Sequence, residues 1–181
     1  MRLALAFAAL VVLAPPALSQ EEDWVWPVPQ ISSDISALPA PVQATRQALI
    51  DAARSGDIDA LQPIIAAQDF PPNVSFGAPD DALAYLKDIS EDDEGRQILG
   101  LLLELLDQPY AFHPDSGGET YYIWPYLAEL DPNALTPEQE VDAYRLLDRA
   151  GIEEQKDFGG WFYWRTIISE SGEWSAFVAG D

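Results

Sequence analysis

Residues 161–179 read WFYWRTIISESGEWSAFVA and predict an antiparallel β-hairpin. Two runs that are rich in aromatic and β-branched residues, 161–169 and 174–179, flank the turn-forming stretch ESGE at 170–173. Both runs are apolar on either face, which is typical of strands that are covered on both sides of a sheet. We therefore expect a central pair of strands at this end of the chain.

A second hairpin is predicted earlier in the chain, from the short aromatic runs 110–112 and 120–124. These runs flank the sequence DSGG at 115–118, which is rich in turn-forming residues. The two hairpins together predict a small antiparallel sheet.

The N-terminal half has instead the 3.6-residue apolar period of helices. A helix over 41–54 and a second one from Ile58, which Pro63 should kink or split, predict a helical hairpin. Further helices are predicted at 80–89 and 96–107. The last of these is apolar almost all round, so we expect it to be the central, buried helix.

The sequence TPEQ at 136–139 is the clearest local signal for the start of a helix. It combines a capping Thr, Pro at the first helical position and Gln three residues after the cap. We expect this helix to end at Gly151 and to turn Val141, Tyr144 and Leu147 towards the core.

Helices followed by strands predict an α+β fold: an N-terminal helical hairpin and further helices, packed on a small antiparallel sheet formed by the C-terminal hairpins. One domain is expected over 41–181. Residues 20–40 contain three prolines and are expected to form an extended, weakly ordered lead. The two indoles of Trp24-Val25-Trp26 in this lead either dock onto the domain or bind another molecule.

The chain begins with the pattern of a secretory signal peptide over residues 1–19. Arg2 supplies the positive charge, residues 3–14 are apolar, and Ala17-Leu18-Ser19 is a small-x-small cleavage site. This apolar run is too short to span a bilayer, and no later segment approaches ~20 uncharged apolar residues. We expect an exported mature protein with no membrane span.

The charge balance excludes several classes of partner. The chain has 9 Lys and Arg against 31 Asp and Glu, with a net charge of −22, so nucleic acid and anionic lipid are unfavourable partners. The acidity is spread along the chain, which is typical of a solvated surface. There is no cysteine, so disulfides cannot support the fold, and a bacterial periplasm suits the chain better than a disulfide-rich extracellular setting. We expect a periplasmic or secreted location.

No catalytic or cofactor motif is present, and we assign no catalytic residue, no metal ligand and no cofactor. His113 is the only histidine, which excludes a His-rich zinc site. The acidic run at 91–94 lacks the spacing of a calcium loop and is interpreted as a solvated loop before the next helix. Asp157-Phe158-Gly159 is interpreted as a turn. The acids near aromatic segments are Glu119, Glu129, Glu153 and Glu173.

The aromatic residues of the C-terminal half, together with one cation, are the candidate ligand site. On strand alternation, Trp161, Tyr163 and Arg165 share one face, and the opposite face carries Trp164. A concave surface with one guanidinium would suit a carboxylate or glycan. The alternative is that the rings pack under the helices and Arg165 pairs with an acid. The candidate residues are Tyr122, Trp124, Trp161, Tyr163, Trp164 and Arg165.

Two segments carry a resemblance: AARSGDIDAL at 52–61 and GEWSAFVAGD at 172–181. Together they resemble small exported bacterial proteins of unknown function. The helix-Gly-Asp-helix and the Gly-x-Trp strand are also similar to cone-shaped domains of the nuclear transport factor 2 superfamily. That similarity implies helices packed on a longer, curved sheet, and it carries over no functional residue.

Two classes of function follow from these observations. The first is a periplasmic, non-enzymatic domain that binds a partner protein or a small-molecule ligand through an aromatic sheet face. The second is a hydrolase that acts on cell-envelope glycan or peptide, which would need titratable side chains meeting in a pocket. An envelope-maintenance protein without a ligand is a third possibility.

Overall fold

A computed structural model describes residues 28–114 and 118–180. Within these residues, six α-helices and a five-stranded antiparallel sheet form an α+β fold, as the sequence predicts. The predicted signal peptide and Trp24-Val25-Trp26 lie outside the described residues. No helix of the described part is long and apolar enough to cross a membrane.

The elements follow one another in the predicted order, except that a strand comes first and the helix predicted after Thr136 is divided into two. The strands are β1 (Gln30–Ser32), β2 (Tyr110–Phe112), β3 (Tyr121–Trp124), β4 (Arg165–Ser169) and β5 (Trp174–Val178). The helices are α1 (Ala40–Ser55), α2 (Gln62–Ala66), α3 (Ala82–Asp88), α4 (Arg96–Asp107), α5 (Pro137–Leu146) and α6 (Arg149–Phe158).

The sheet has the order β1-β2-β3-β4-β5, with every neighbouring pair antiparallel. Both predicted hairpins are confirmed, as β2 with β3 and β4 with β5. The C-terminal hairpin is not the central pair that the sequence predicts, because β5 is at the edge of the sheet. The strand β4 begins only at Arg165, so residues 161–164 form a loop rather than the first half of a strand. This shift removes the alternation that the sequence predicts for the aromatic cluster.

The predicted lead at 20–40 needs a correction, because its second half belongs to the fold. Gln30–Ser32 forms the edge strand β1, in which Ile31 lies opposite Ala111 of β2. Leu38, a few residues later, is buried in the core. The sheet therefore includes an N-terminal strand as well as the C-terminal hairpins, and the domain begins before residue 41.

The two faces of the sheet carry separate hydrophobic cores. Because neighbouring residues on a strand point to opposite faces, Tyr110 joins the first core and Ala111 joins the second. The first core contains buried residues of α1, α3 and α4, and Leu102 of α4 is fully buried there, in agreement with the predicted central helix. The second core lies beside α5 and α6, with Ala143 and Ile152 as their buried residues.

The predicted helix after Thr136 is correct at its start and wrong at its end. The capping box between Thr136 and Gln139 is present. The helix stops at Leu146, and the side chain of Asp148 then accepts a hydrogen bond from the amide of Gly151 and starts α6. Gly151 thus lies in the first turn of a new helix instead of ending the old one.

The predicted inner face of α5 is wrong for Val141 and Tyr144, which are 64% and 55% exposed. It is correct for Leu147, which packs against the second core, and the buried residue of the helix is Ala143. The break after Leu146 leaves α5 free to turn its alanine side towards the sheet.

The remaining predictions for the N-terminal half are confirmed with small shifts. Pro63 coincides with a division of the second helix into a 3₁₀ turn, Ile58–Leu61, and α2. The acidic loop before α4 acts as a helix cap: the Asp92 carboxylate accepts hydrogen bonds from the amides of Glu94, Arg96 and Gln97. These hydrogen bonds lower the pKa of Asp92 to about 2.

Candidate functional site

An open groove of about 500 Å³ lies where the C-terminal end of α6 meets the start of β4. We call it the Arg165 groove. It is lined by Ala128, Glu129, Phe158, Gly159, Gly160, Trp161 and Arg165.

The loop at 159–164 forms one wall of the groove, and Gln155 of α6 fixes its shape. Gly159 has a φ of 78° and ends the helix in the left-handed conformation that glycine adopts without strain. The buried side-chain oxygen of Gln155 accepts hydrogen bonds from the amides of Phe162 and Tyr163, at 2.8 and 3.1 Å. One buried amide therefore holds the loop against the end of α6, so the groove is preformed.

The Arg165 guanidinium is positioned by the same loop. Its Nη1 donates a hydrogen bond to the carbonyl oxygen of Trp161 at 3.1 Å, and the Trp161 indole donates to the carbonyl oxygen of Trp164 at 3.2 Å. In residues 28–114 and 118–180, Arg165 forms no ion pair with a carboxylate. Among the described residues this guanidinium makes only the hydrogen bond to Trp161, so its other N–H donors have no partner there.

Two aromatic residues, Phe158 and Trp161, line the groove together with Arg165. Phe158 is 55% exposed and packs edge-to-face on Phe162, with 5.2 Å between the ring centroids. Trp161 is buried and contacts Tyr163 edge-to-face at 6.1 Å. Burial raises the pKa of the Tyr163 hydroxyl, so this side chain stays neutral. The groove thus combines one cation with an aromatic wall.

A carboxylate in the groove lining pairs with an imidazole. Glu129 follows β3 on the 3₁₀ turn Tyr126–Glu129, and His113 follows β2 directly. His113 Nε2 lies 2.8 Å from Glu129 Oε2, and the two side chains are 24% and 25% exposed. Of the two residues, Glu129 lines the groove.

The structure brings together only some of the residues that the sequence predicts for the site. Trp161 and Arg165 meet at the groove, and Tyr163 lies beside them. Trp124 is fully buried, Tyr122 is nearly so, and Trp164 packs against the same first core. Tyr122 and Trp124 face the helices because they alternate with Ile123 on β3, so these three aromatics cannot form one surface with Arg165.

Five lining residues of the groove are not among the predicted ligand-binding residues, and two of them, Phe158 and Glu129, have large or charged side chains. Phe158 belongs to the stretch interpreted as a turn, which is the last turn of α6 and its cap. Glu129 was noted only as an acid near aromatic residues. Of the other acids in that set, Glu119 accepts a hydrogen bond from the amide of Ser171 and holds the β4–β5 turn, and Glu153 lies beside Lys156. Glu129 differs from these acids in its contact with His113 and its place in the groove, which are visible only in the folded structure.

Within the described ranges, no three His, Asp or Glu side chains cluster in a way that would hold a metal ion. A comparison of the chain with models of protein families, with curated proteins and with solved structures found no match. The function must therefore be inferred from the groove and from the sequence.

Proposed function

We propose that this protein is an exported, non-enzymatic binding domain that holds a carboxylate-bearing ligand or partner segment in the Arg165 groove. The observation that carries the proposal is that the Arg165 guanidinium forms no ion pair with any carboxylate of residues 28–114 and 118–180. Glu129, which lines the same groove, pairs with His113 instead.

The chemistry of the groove favours a particular class of ligand. A guanidinium binds a carboxylate through two parallel hydrogen bonds, and the aromatic wall offers a surface for a sugar ring or an apolar side chain. The net charge of −22 repels anions at long range, so binding depends on this local contact rather than on electrostatic steering. Peptide carboxylates and acidic glycans fit these conditions.

The preformed loop supports recognition rather than induced closure. Because Gln155 already holds the amides of Phe162 and Tyr163, a ligand does not have to order the 159–164 wall on binding. Less ordering lowers the entropic cost of association.

Export belongs to the same proposal and has a separate test. The signal-peptide pattern at 1–19 predicts that the protein recovered from the periplasm begins at Gln20. Intact-mass measurement of the protein from periplasmic and cytoplasmic fractions checks this. A full-length chain in the cytoplasm alone would contradict it.

The binding proposal is tested with intrinsic fluorescence, since Trp161 lines the groove. The protein is titrated with N-acetylated peptides that have a free C-terminal carboxylate, and with uronic-acid oligosaccharides. We expect a saturable change with at least one probe and a raised melting temperature. Arg165→Ala should weaken that binding about tenfold or more, the usual range for a charge-assisted contact.

The matched control is Arg149→Ala, because Arg149 is exposed, has no ion pair in the described part of the chain and lies away from the groove lining. It should leave the affinity unchanged. Equal binding by Arg165→Ala and the wild type, or no saturable binding by any probe, would contradict the proposal.

A hydrolase is the second candidate, and the His113–Glu129 pair is the observation that favours it. A carboxylate-oriented imidazole can act as a general base towards water at the rim of the groove. This candidate predicts turnover of envelope glycan or peptide that is lost in His113→Ala and kept in Arg149→Ala. Turnover that persists in His113→Ala would exclude the pair as the base.

A further inference from the structure

A second groove lies between α1 and α4, and we call it the α1–α4 groove. Its volume is about 350 Å³, at the small end of the range of roughly 300–1,000 Å³ for ligand sites. One side is formed by α1, which contributes Arg46, Ile50 and Arg54 at four-residue spacing on one face. The other side is formed by α4.

The α1 side is a cationic wall. Arg46 Nη2 donates to the carbonyl oxygen of Leu106 at 2.6 Å, which fixes the guanidinium against the C-terminal end of α4. Its Nε is buried and has no hydrogen-bond partner in the described part of the structure. Burial lowers the pKa of Arg46, and the charge of Arg54 lowers it further, against an opposite effect of Asp107. Arg46 therefore has a like-charged neighbour in Arg54, and an anion bound beside both would offset their repulsion.

The α4 side is an anionic wall formed by Glu104 and Asp107. Asp107 already accepts a hydrogen bond from Arg145 at 2.7 Å, so Glu104 is the exposed acid that remains. Across the described residues, neither Arg46 nor Arg54 forms an ion pair with these carboxylates. The arginines and the carboxylates line the same groove, and in the described residues no ion pair joins its two sides.

Apolar side chains from both helices also line the groove. Ile50 of α1 is buried and Leu103 of α4 is half-buried. What remains is a space with a cation on one side, an anion on the other and apolar side chains between them.

We propose that the α1–α4 groove binds a zwitterion of the size of a free amino acid or a dipeptide. The ligand carboxylate is held by the guanidinium groups of Arg54 and Arg46, and its ammonium by Glu104. The apolar side chain of the ligand lies over Leu103. A simple anion would meet the carboxylates of α4, and a simple cation would meet the arginines of α1, so only a ligand with both charges satisfies both walls.

This inference does not depend on the proposed function. The α1–α4 groove is built on helices of the first core, whereas the Arg165 groove adjoins the second core. Loss of binding at one groove leaves the other intact, so the two proposals fail separately.

The test is a titration of the purified ¹⁵N-labelled protein, followed by backbone amide shifts in NMR spectra. The probes are L-leucine and Leu-Ala, together with N-acetyl-L-leucine and L-leucinamide, which each lack one of the two charges. We expect saturable shifts of α1 and α4 amides with the zwitterions, and affinities at least about tenfold lower for each single-charge probe. Arg54→Ala and Glu104→Gln should each weaken leucine binding by a similar factor.

Both variants change exposed side chains without hydrogen bonds in the described structure, so folding should be unaffected. Arg46 is avoided because it also holds Leu106, and Arg149→Ala serves as the control that should bind leucine normally. N-acetyl-L-leucine that binds as tightly as leucine would overturn the proposal in favour of an anion site. Leucine shifts that are absent, or unchanged in Arg54→Ala and Glu104→Gln, would also overturn it.

Discussion

The two faces of the sheet differ in what they bury and in what they leave accessible. The first face is covered by apolar residues of α1, α3 and α4, and its aromatics Trp124, Trp174 and Phe177 are fully buried. The second face has a much smaller core and is bordered by the Arg165 groove and the His113–Glu129 pair. A high density of aromatic residues therefore does not by itself indicate a binding surface, because most of these aromatic residues pack in the first core.

Among the variants considered, truncation of one buried residue in each core should give the largest losses in the free energy of unfolding, and the two losses should differ. We expect Leu102→Ala to lower the free energy of unfolding by about 4 kcal/mol, because a fully buried site among packed helices cannot collapse around the cavity. Ile152→Ala should cost about 2 kcal/mol, because the smaller second core relaxes more easily. Urea unfolding of both variants measures these costs. Equal costs would mean that the two cores are equally rigid, contrary to this comparison.

The Gln155 side chain should give the next largest effect, and it acts on the second face alone. Gln155→Ala leaves the amides of Phe162 and Tyr163 without an acceptor, which should lower the free energy of unfolding by about 2 kcal/mol. It should also weaken any ligand at Arg165, although Arg165 itself is unchanged. Gln155→Met keeps most of the side-chain volume without an amide oxygen, so it should show the same loss and separates the hydrogen bonds from the packing. Full ligand affinity in Gln155→Ala would show that the loop is shaped by other contacts.

The pH dependence of stability tests the Asp92 carboxylate, which accepts hydrogen bonds from the first amides of α4 on the first face of the sheet. Its pKa is about 2 in the folded protein, below the ordinary value of 3.8. The ionised carboxylate is favoured in the folded protein, so it stabilises the fold above pH 3.8. This stabilisation is lost as the pH falls from 3.8 through about 2, where the carboxylate is protonated in both states. Asp92→Asn should therefore lower the melting temperature by a few degrees at pH 7.

The same difference in melting temperature between Asp92→Asn and the wild type should shrink between pH 4 and pH 2. Melting curves across this range provide the measurement. Asp93→Asn is the control, because Asp93 is exposed and makes no hydrogen bond in the described structure. A constant difference across the range would contradict the proposed cause.

The sequence predicts where the helices and strands lie better than it predicts which of their side chains are buried. Caps and turns are local, so the TPEQ signal and the two hairpin turns correctly locate α5 and the strand pairs. The loop at 161–164 could not be predicted, because the buried Gln155 that fixes it lies on another element. The pairing of Glu129 with His113 likewise arises only when β2 and β3 are placed side by side. Arg165 and Trp161 were found because a lone cation among aromatics is visible in the sequence.

Substitutions on the outer face of α5 should have the smallest effect on stability. They test whether Val141 and Tyr144 are exposed, as in the structure, or buried, as the sequence pattern predicts. The apolar period places Val141 and Tyr144 in the core, but both are more than half exposed. We expect Val141→Thr with Tyr144→Gln to change the free energy of unfolding by no more than about 0.5 kcal/mol, as exposed substitutions do. Two buried side chains changed in this way would cost several-fold more, because each buried polar group would lack a partner. Urea unfolding of the double variant separates the two cases. Ala143→Thr, in the buried position between them, should be markedly destabilising and shows that the assay detects the inner face.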